Sequence, residues 1–343
     1  MSASGARSVR YVATIGHPAE RAADPAAALV VTEAGGLSAE ALAFVAASRA
    51  PRTLRAYRSD LADFCSWCRE RGRCPLPASP ETLANYLASL ASSGRTWATV
   101  SRRLSAVSQA HRMAGLDSPA GSQLVRLAAA GIRRTLGAAP RRARPVLAWE
   151  VAAMADAEPP GLRGLRDGAL LVVGFGGGFR RSELAGLDAD DVAVEPEGLR
   201  VLLRRSKTDQ AGEGRLVGVS RGAVPGHDAV DALLAWKDAA GVAEGPLFRE
   251  VDASGRATSR RMSDRAVARA VKRAAARVGI DPALVSGHSL RAGLATSAAA
   301  AGAPERAIMA TTGHRSDAMA RRYVREAGLF TSGAGAWIER AAG

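Results

Sequence analysis

Gly178-Phe179-Arg180-Arg181-Ser182-Glu183-Leu184 is the stretch on which this chain turns. An apolar run from about Leu162 to Gly176 has helical spacing and ends in glycines, and a new helix starts behind them. Arg180 and Glu183 stand three residues apart, which places them on one helical face. An acidic neighbour at that spacing holds an arginine in one orientation and leaves its remaining donors free for a ligand. Alone, the pair reads equally well as a helix-start ion pair.

Three further motifs lie downstream. Leu199–Arg204 alternates like a strand, Ser206-Lys207-Thr208-Asp209 with Gly212 and Gly214 supplies a turn, and Leu216–Val219 supplies the return strand, so a hairpin with Lys207 in its connection is expected. Lys207 is one of only three lysines (with Lys237 and Lys272) among 47 basic residues. A lysine can give up a proton near neutral pH when its surroundings lower its pKa, and an arginine cannot. Next, Gly287-His288-Ser289-Leu290-Arg291 sets an imidazole and a guanidinium one helical turn apart. Finally, Gly313-His314-Arg315-Ser316-Asp317-Ala318-Met319-Ala320-Arg321-Arg322-Tyr323-Val324-Arg325 carries one of only four tyrosines, flanked by Arg321, Arg322 and Arg325. Arginine forks match phosphate oxygens in a bidentate way, so an aromatic hydroxyl in this setting suggests a phosphate partner. Singly, each motif has an ordinary reading as an ion pair, a turn lysine, a helix N-terminus or a surface tyrosine. The four in this order are far more specific.

Upstream, the chain reads as a separate helical module. Residues 1–37 have no sustained period and are expected to form a disordered arm. A short helix from Ser38 to about Ser48 follows, broken by Pro51. Thr53 is the expected cap of a helix bearing Leu54, Tyr57, Leu61, Phe64 and Cys68 on one stripe. Further helices are expected after Ser79-Pro80, from about Thr96 to Ala114, and from Ser118-Pro119 to about Leu136. Arg52, Arg55, Arg58, Arg95, Arg102, Arg103 and Arg112 give this module a basic surface that suits a DNA major groove. A solvated basic face accounts for them equally well, and residues 38–137 are read as one helical domain with both readings open. Residues 138–146, with Arg141, Arg142 and Arg144 between prolines, are read as a linker able to track phosphates. Residues 147–343 form a second domain of helices with a small antiparallel sheet and a tail helix near 334–341. The fold class is mainly α.

Composition bounds the partner. The 343 residues carry 47 basic against 33 acidic side chains, a formal charge of +14, which points to a polyanion. Hydrophobic residues make up 47% and aromatics 4%, a profile of Ala-, Leu- and Val-rich helices. Cys65, Cys68 and Cys74 cannot all pair with one another, which fits a reducing cytoplasm. Cys65-x-x-Cys68 lacks a second pair, so its thiols belong on or beside a buried helix face rather than on a metal. Neither a membrane span, a nucleotide loop nor a metal cluster is legible, so no cofactor is expected.

The order of motifs resembles the tyrosine recombinase (phage integrase) family, and in length and layout its Cre-type members. That family's pattern is an arginine in a Gly-x-Arg-x-Ser-Glu-Leu context and a hairpin lysine. A His-x-x-Arg motif follows, then Gly-His or tryptophan nine residues before a nucleophilic tyrosine. The matching positions here are Arg180, Glu183, Lys207, His288, Arg291, His314 and Tyr323. Two positions depart: His314 stands where Cre-type members carry tryptophan, and Ala292 where many members carry histidine.

The resemblance implies a core-binding domain followed by a catalytic domain, and metal-free strand transfer on double-stranded DNA. In that chemistry Tyr323 is the nucleophile. Arg180, oriented by Glu183, and Arg291, joined by His314, neutralise the phosphate, while His288 accepts and Lys207 donates a proton. It also implies a 3′-phosphotyrosyl intermediate and a homotetramer on two sites, formed from a free monomer or weak oligomer. The apolar tail at Trp337-Ile338 suits docking either into a neighbour or back onto its own chain. A type IB topoisomerase shares the chemistry, and a non-catalytic DNA-binding accessory protein shares the scaffold. The retained constellation favours recombination.

Overall fold

A computed structural model of the protein describes residues 51–137, 143–204 and 214–313. The expected arm, the helix beginning at Ser38 and the tail helix lie outside these residues. The chain divides into two compact units, Met1–Pro140 and Arg141–Gly343.

The first unit holds α1 (Pro51–Glu70), α2 (Pro80–Ser92), α3 (Trp97–Met113), a 3₁₀ turn (Pro119–Gly121) and α4 (Gln123–Leu136). The expected stripe is its core: Leu61, Phe64 and Cys68 of α1 pack with Leu83, Tyr86 and Leu87 of α2, Val100 and Val107 of α3, and Val125 of α4. Ser79 caps α2 by accepting from the Thr82 amide at 3.2 Å, a contact that contributes about 1 kcal/mol. Two helix starts differ from expectation. The α1 helix already includes Pro51, which the first turn tolerates because no amide donor is needed there, so Thr53 is not its cap. Ser118 starts only the 3₁₀ turn. Ser122, in extended conformation, interrupts the chain and caps α4 through the Val125 amide at 3.2 Å.

The buried rings of Tyr86 and His111 find polar partners in this unit. The Tyr86 hydroxyl donates to Asp63 at 2.7 Å and accepts from Arg103 at 3.1 Å. His111 Nε2 lies 2.9 Å from the Ala78 amide and Nδ1 2.9 Å from the Val107 carbonyl. An amide can only donate, so Nε2 carries a lone pair and Nδ1 the proton. The ring is therefore neutral. The Cys68 thiol is buried and pushed up to about 11, chiefly by desolvation, which makes it an inert core group.

The second unit is built around α6 (Leu162–Gly176), whose residues Leu170 to Phe175 are all buried. Four helices pack on it: α5 (Ala148–Asp156), α8 (Ala229–Ala239), α9 (Asp264–Arg277) and α10 (Ser289–Ala300). The short α7 (Arg181–Gly186) and α11 (Glu305–Thr312) complete the described α-helices, and a 3₁₀ turn (Ala189–Asp191) precedes the sheet. The expected hairpin is present as β2 (Gly198–Leu203) and β3 (Arg215–Ser220), antiparallel, with Leu203 opposite Arg215. It is joined by β1 (Val192–Glu195), with Val192 opposite Val201, to make three strands. A second ribbon, β4 (Arg249–Val251) with β5 (Ala257–Arg261), was not apparent in the sequence. Asp167, fully buried on α6, accepts from Arg166 at 2.7 and 2.9 Å and from Arg273 of α9 at 2.7 Å. None of the described helices is long and apolar enough to cross a membrane.

Candidate active site

The glycine-rich exit from α6 positions the first arginine. Gly178 has φ +56°, a left-handed conformation that L side chains rarely adopt, and a Cβ there would stand 2.9 Å from Leu294 and 3.2 Å from Thr312. Phe179 then turns inward, only 2% exposed, and leaves Arg180 as the residue before α7. Arg180 is thus a helix cap and does not share a helical face with Glu183. The pairing is nevertheless made. Glu183 Oε2 accepts from the Arg180 amide at 2.8 Å, and Oε1 accepts from its guanidinium. The two side chains are 2% and 12% exposed, so a buried carboxylate is matched by a cation it also orients.

Arg291 comes to the same loop from α10. It is 4% exposed, and its Nη1 donates to the Gly178 carbonyl at 2.8 Å. Two arginines 111 positions apart in the chain thus hang from one three-residue loop. The N-terminal turn of α10 is braced from below. Ser289 Oγ accepts from the Ser286 amide at 2.9 Å, and Ser286 Oγ accepts from the His288 amide at 3.1 Å. His288, just ahead of α10, is exposed. The Val146 amide donates to the Ser289 carbonyl at 3.1 Å, and Gly293 allows that segment to lie flat on the helix: a Cβ at 293 would sit 1.7 Å from the Val146 carbonyl oxygen.

Arg215, the first residue of β3, escaped the sequence reading. Its Nη1 donates to the Ala310 carbonyl at 2.8 Å and the Thr311 carbonyl at 2.7 Å, at the end of α11. Burial holds this guanidinium below its ordinary pKa; Glu183 acts against that effect and Arg180 adds to it. Among the described residues, two cations therefore bear on one carboxylate in a partly desolvated site, a surplus that suits an anionic ligand. Arg215 was hidden because it is one arginine among dozens, and its partners lie 95 and 96 residues away.

Lys207, His314 and Tyr323 lie outside the described residues. Chain continuity places Lys207 in the connection between β2 and β3, and His314 directly after Gly313 at the end of α11.

The basic residues of the first unit divide. Arg55, Arg58, Arg95 and Arg112 are exposed. Arg102 pairs with Asp60, and Arg103, 12% exposed, pairs with Asp60 and Asp63, which gives it an internal structural task. Arg144 donates to Glu150 at 2.8 and 3.1 Å, and its amide donates to the Leu284 carbonyl at 2.8 Å. That end of the expected linker is built into the second unit, and its guanidinium is engaged by a carboxylate. Nothing described bears on Arg52's side chain, Arg141 or Arg142.

Known proteins resemble this chain along most of its length. The Phage integrase family pattern matches residues 148–328, and that of the "Phage integrase, N-terminal SAM-like domain" matches 42–115. The chain is 38% identical over 291 residues to an integrase/recombinase XerD homolog of Selenomonas ruminantium, covering 84% of this chain and 85% of that protein. It is 31% identical over 287 residues to the tyrosine recombinase XerC of Mycobacterium tuberculosis, covering 81% and 89%. In fold it is similar to the XerH site-specific recombinase bound to a palindromic difH substrate (TM-score 0.63, 16% identity, 87% and 83% covered). It is also similar to a lambda integrase dimer bound to a COC′ core site (TM-score 0.57, 21% identity, 82% and 92% covered). The paired arginines on the Gly178 loop, together with these relatives, make this chain a member of the phage integrase family: it is a tyrosine-type site-specific recombinase.

Proposed function

We propose that this recombinase cleaves and rejoins duplex DNA with Tyr323 as nucleophile, at a phosphodiester held by Arg180 and Arg291. The observation that carries the reading is the convergence of those two arginines on one loop beside buried Glu183. Tyr323 Oη attacks phosphorus and forms the O–P bond, while the bond from phosphorus to the 5′ oxygen breaks. His288 takes the tyrosine proton, and Lys207 gives one to the departing 5′ oxygen. Arg180 and Arg291, with His314, balance charge on the non-bridging oxygens. The 3′-phosphotyrosyl link retains the bond energy, so a 5′ hydroxyl from a second site can reverse the step without a cofactor.

In this reading residues 38–137 are a core-binding domain, 138–146 a linker and 147–343 the catalytic domain. Arg55, Arg58, Arg95 and Arg112 are its most available DNA contacts. Exchange between two sites requires four active subunits, and solved relatives include a lambda integrase tetramer bound to a Holliday junction. The substrate places the reaction in the cytoplasm.

Covalent trapping tests the proposal. Wild type and Tyr323→Phe are mixed with sheared source DNA and denatured in detergent, and the protein-linked DNA is sequenced. One recurrent site, recovered with wild type only, is expected. An adduct from Tyr323→Phe would remove that residue as nucleophile, and scattered recovery without a common site would indicate topoisomerase behaviour.

A further inference from the structure

We propose that Arg215 is a positioning residue: it clamps the last turn of α11 against the Gly178 loop and so sets where the His314–Tyr323 segment begins relative to Arg180 and Arg291. The inference rests on the assignment of Tyr323 as nucleophile and concerns a residue outside the family pattern set out above.

Three contacts define the clamp. The final carbonyls of a helix have no partner within it. Arg215 supplies one to Ala310 and Thr311 at 2.8 and 2.7 Å, from a strand rather than from the helix itself. The turn it holds includes Thr312, which is fully buried and whose Cγ2 would be 3.2 Å from a Cβ on Gly178. Gly178 is the residue whose carbonyl holds Arg291. The line of contact therefore runs from β3 through the end of α11 to the loop that carries Arg180 and holds Arg291.

Gly313 shows how closely the clamp fits. It leaves the helix at φ +63°, and a Cβ there would stand 3.0–3.2 Å from the Arg215 Cζ, Nε and Nη2 atoms. The guanidinium is thus laid against the backbone one residue before His314. At its other end, Arg215 is paired with Leu203 at the base of the connection that carries Lys207. A single side chain thereby registers the hairpin of the proton donor against the helix leading to the nucleophile. Both carbonyls are held by the one Nη1 nitrogen, while Cζ, Nε and Nη2 lie against Gly313; the compact ammonium of lysine has no counterpart to that second contact.

The test uses the full chain and a synthetic duplex of the site recovered by trapping, in two forms. One has a natural scissile phosphate, and the other a methylphosphonate lacking the non-bridging charge. At saturating DNA, Arg215→Gln is expected to slow single-turnover adduct formation about 100-fold, the scale of an ångström-sized misplacement. Arg215→Lys should fall between it and wild type. DNA affinity and melting temperature should stay at wild-type values in the Lys variant. The neutral phosphonate should relieve Arg180→Ala and leave Arg215→Gln equally slow, because misplacement is indifferent to phosphate charge. Wild-type adduct formation by Arg215→Gln would overturn the inference. So would its relief by the phosphonate, which would make Arg215 a phosphate contact. So would melting temperature and cleavage falling together in both variants, which would make it structural only. If Tyr323→Phe itself forms the adduct, the nucleophile assignment fails, and the two failures are thereby told apart.

Discussion

Replacing Glu183 with Gln should separate DNA binding from DNA cleavage. The carboxylate accepts from both the amide and the guanidinium of Arg180, and the two side chains are 2% and 12% exposed. Breaking a buried pair by removing one charge costs about 3–5 kcal/mol, of which a retained amide oxygen facing the Arg180 N–H recovers about 1 kcal/mol. The net loss of about 2–4 kcal/mol corresponds to a fall of roughly 5–15 °C in melting temperature for a unit of this size. Arg180 and Arg215 would then lose the charge of the carboxylate that bears on both, so a DNA phosphate becomes an available counter-charge. Affinity for the recovered site should hold or tighten, and DNA should raise the melting temperature of the variant more than that of wild type. Cleavage should drop about 100-fold because Arg180 is no longer held in one orientation. Melting curves with and without DNA, gel-shift titration and single-turnover cleavage read all three quantities. Binding that weakens in step with cleavage would refute the reasoning, and so would an unchanged melting temperature.

Asp167→Asn should destabilise the second unit by about 3–5 kcal/mol in a denaturant titration, because Arg166 and Arg273 would lose their common buried anion. The His111 pKa is lowered by burial, with its hydrogen bond to Val107 opposing. The folded state therefore binds fewer protons, and stability present above the ordinary value of 6.5 is lost as pH falls through the lowered one. His111→Gln should remove that part of the slope from a pH series of unfolding curves. Lys207→Ala should slow cleavage on a natural substrate and recover on one with a 5′-thiol leaving group, which needs no proton; no recovery would remove Lys207 from the acid role.

Much of this architecture was legible because it depends on local pattern. The α1 stripe, the Ser79 cap, the bounds of α6 and the β2–β3 hairpin follow from periodicity and turn chemistry. What escaped depends on partners distant in sequence. Strand β1 has only four residues, none fully buried, and is a strand because β2 lies beside it. Strand β5 reads Ala-Thr-Ser-Arg-Arg, with no apolar alternation to announce it. The arginines show the same limit: Arg103 and Arg58 look alike in sequence, yet Asp60 and Asp63 draw the first inward and leave the second in solvent. For the site, the sequence supplied the residue types, while the Gly178 carbonyl as their meeting point and Arg215 as a neighbour required three dimensions.

Gly293 gives this chain a genetic weak point. One base change at the middle position of a glycine codon produces alanine, a residue that fills much of the surrounding helix, Ser289–Ala300. By composition the change is the mildest available, and helix propensity alone would favour it. Yet the added methyl carbon would lie 1.7 Å from the Val146 carbonyl oxygen, so the segment seated on Ser289 would have to lift away, and with it the brace beneath the turn bearing His288 and Arg291. A lineage drifting toward alanine meets at this codon a substitution that looks conservative on paper and reaches the reaction centre in a single step.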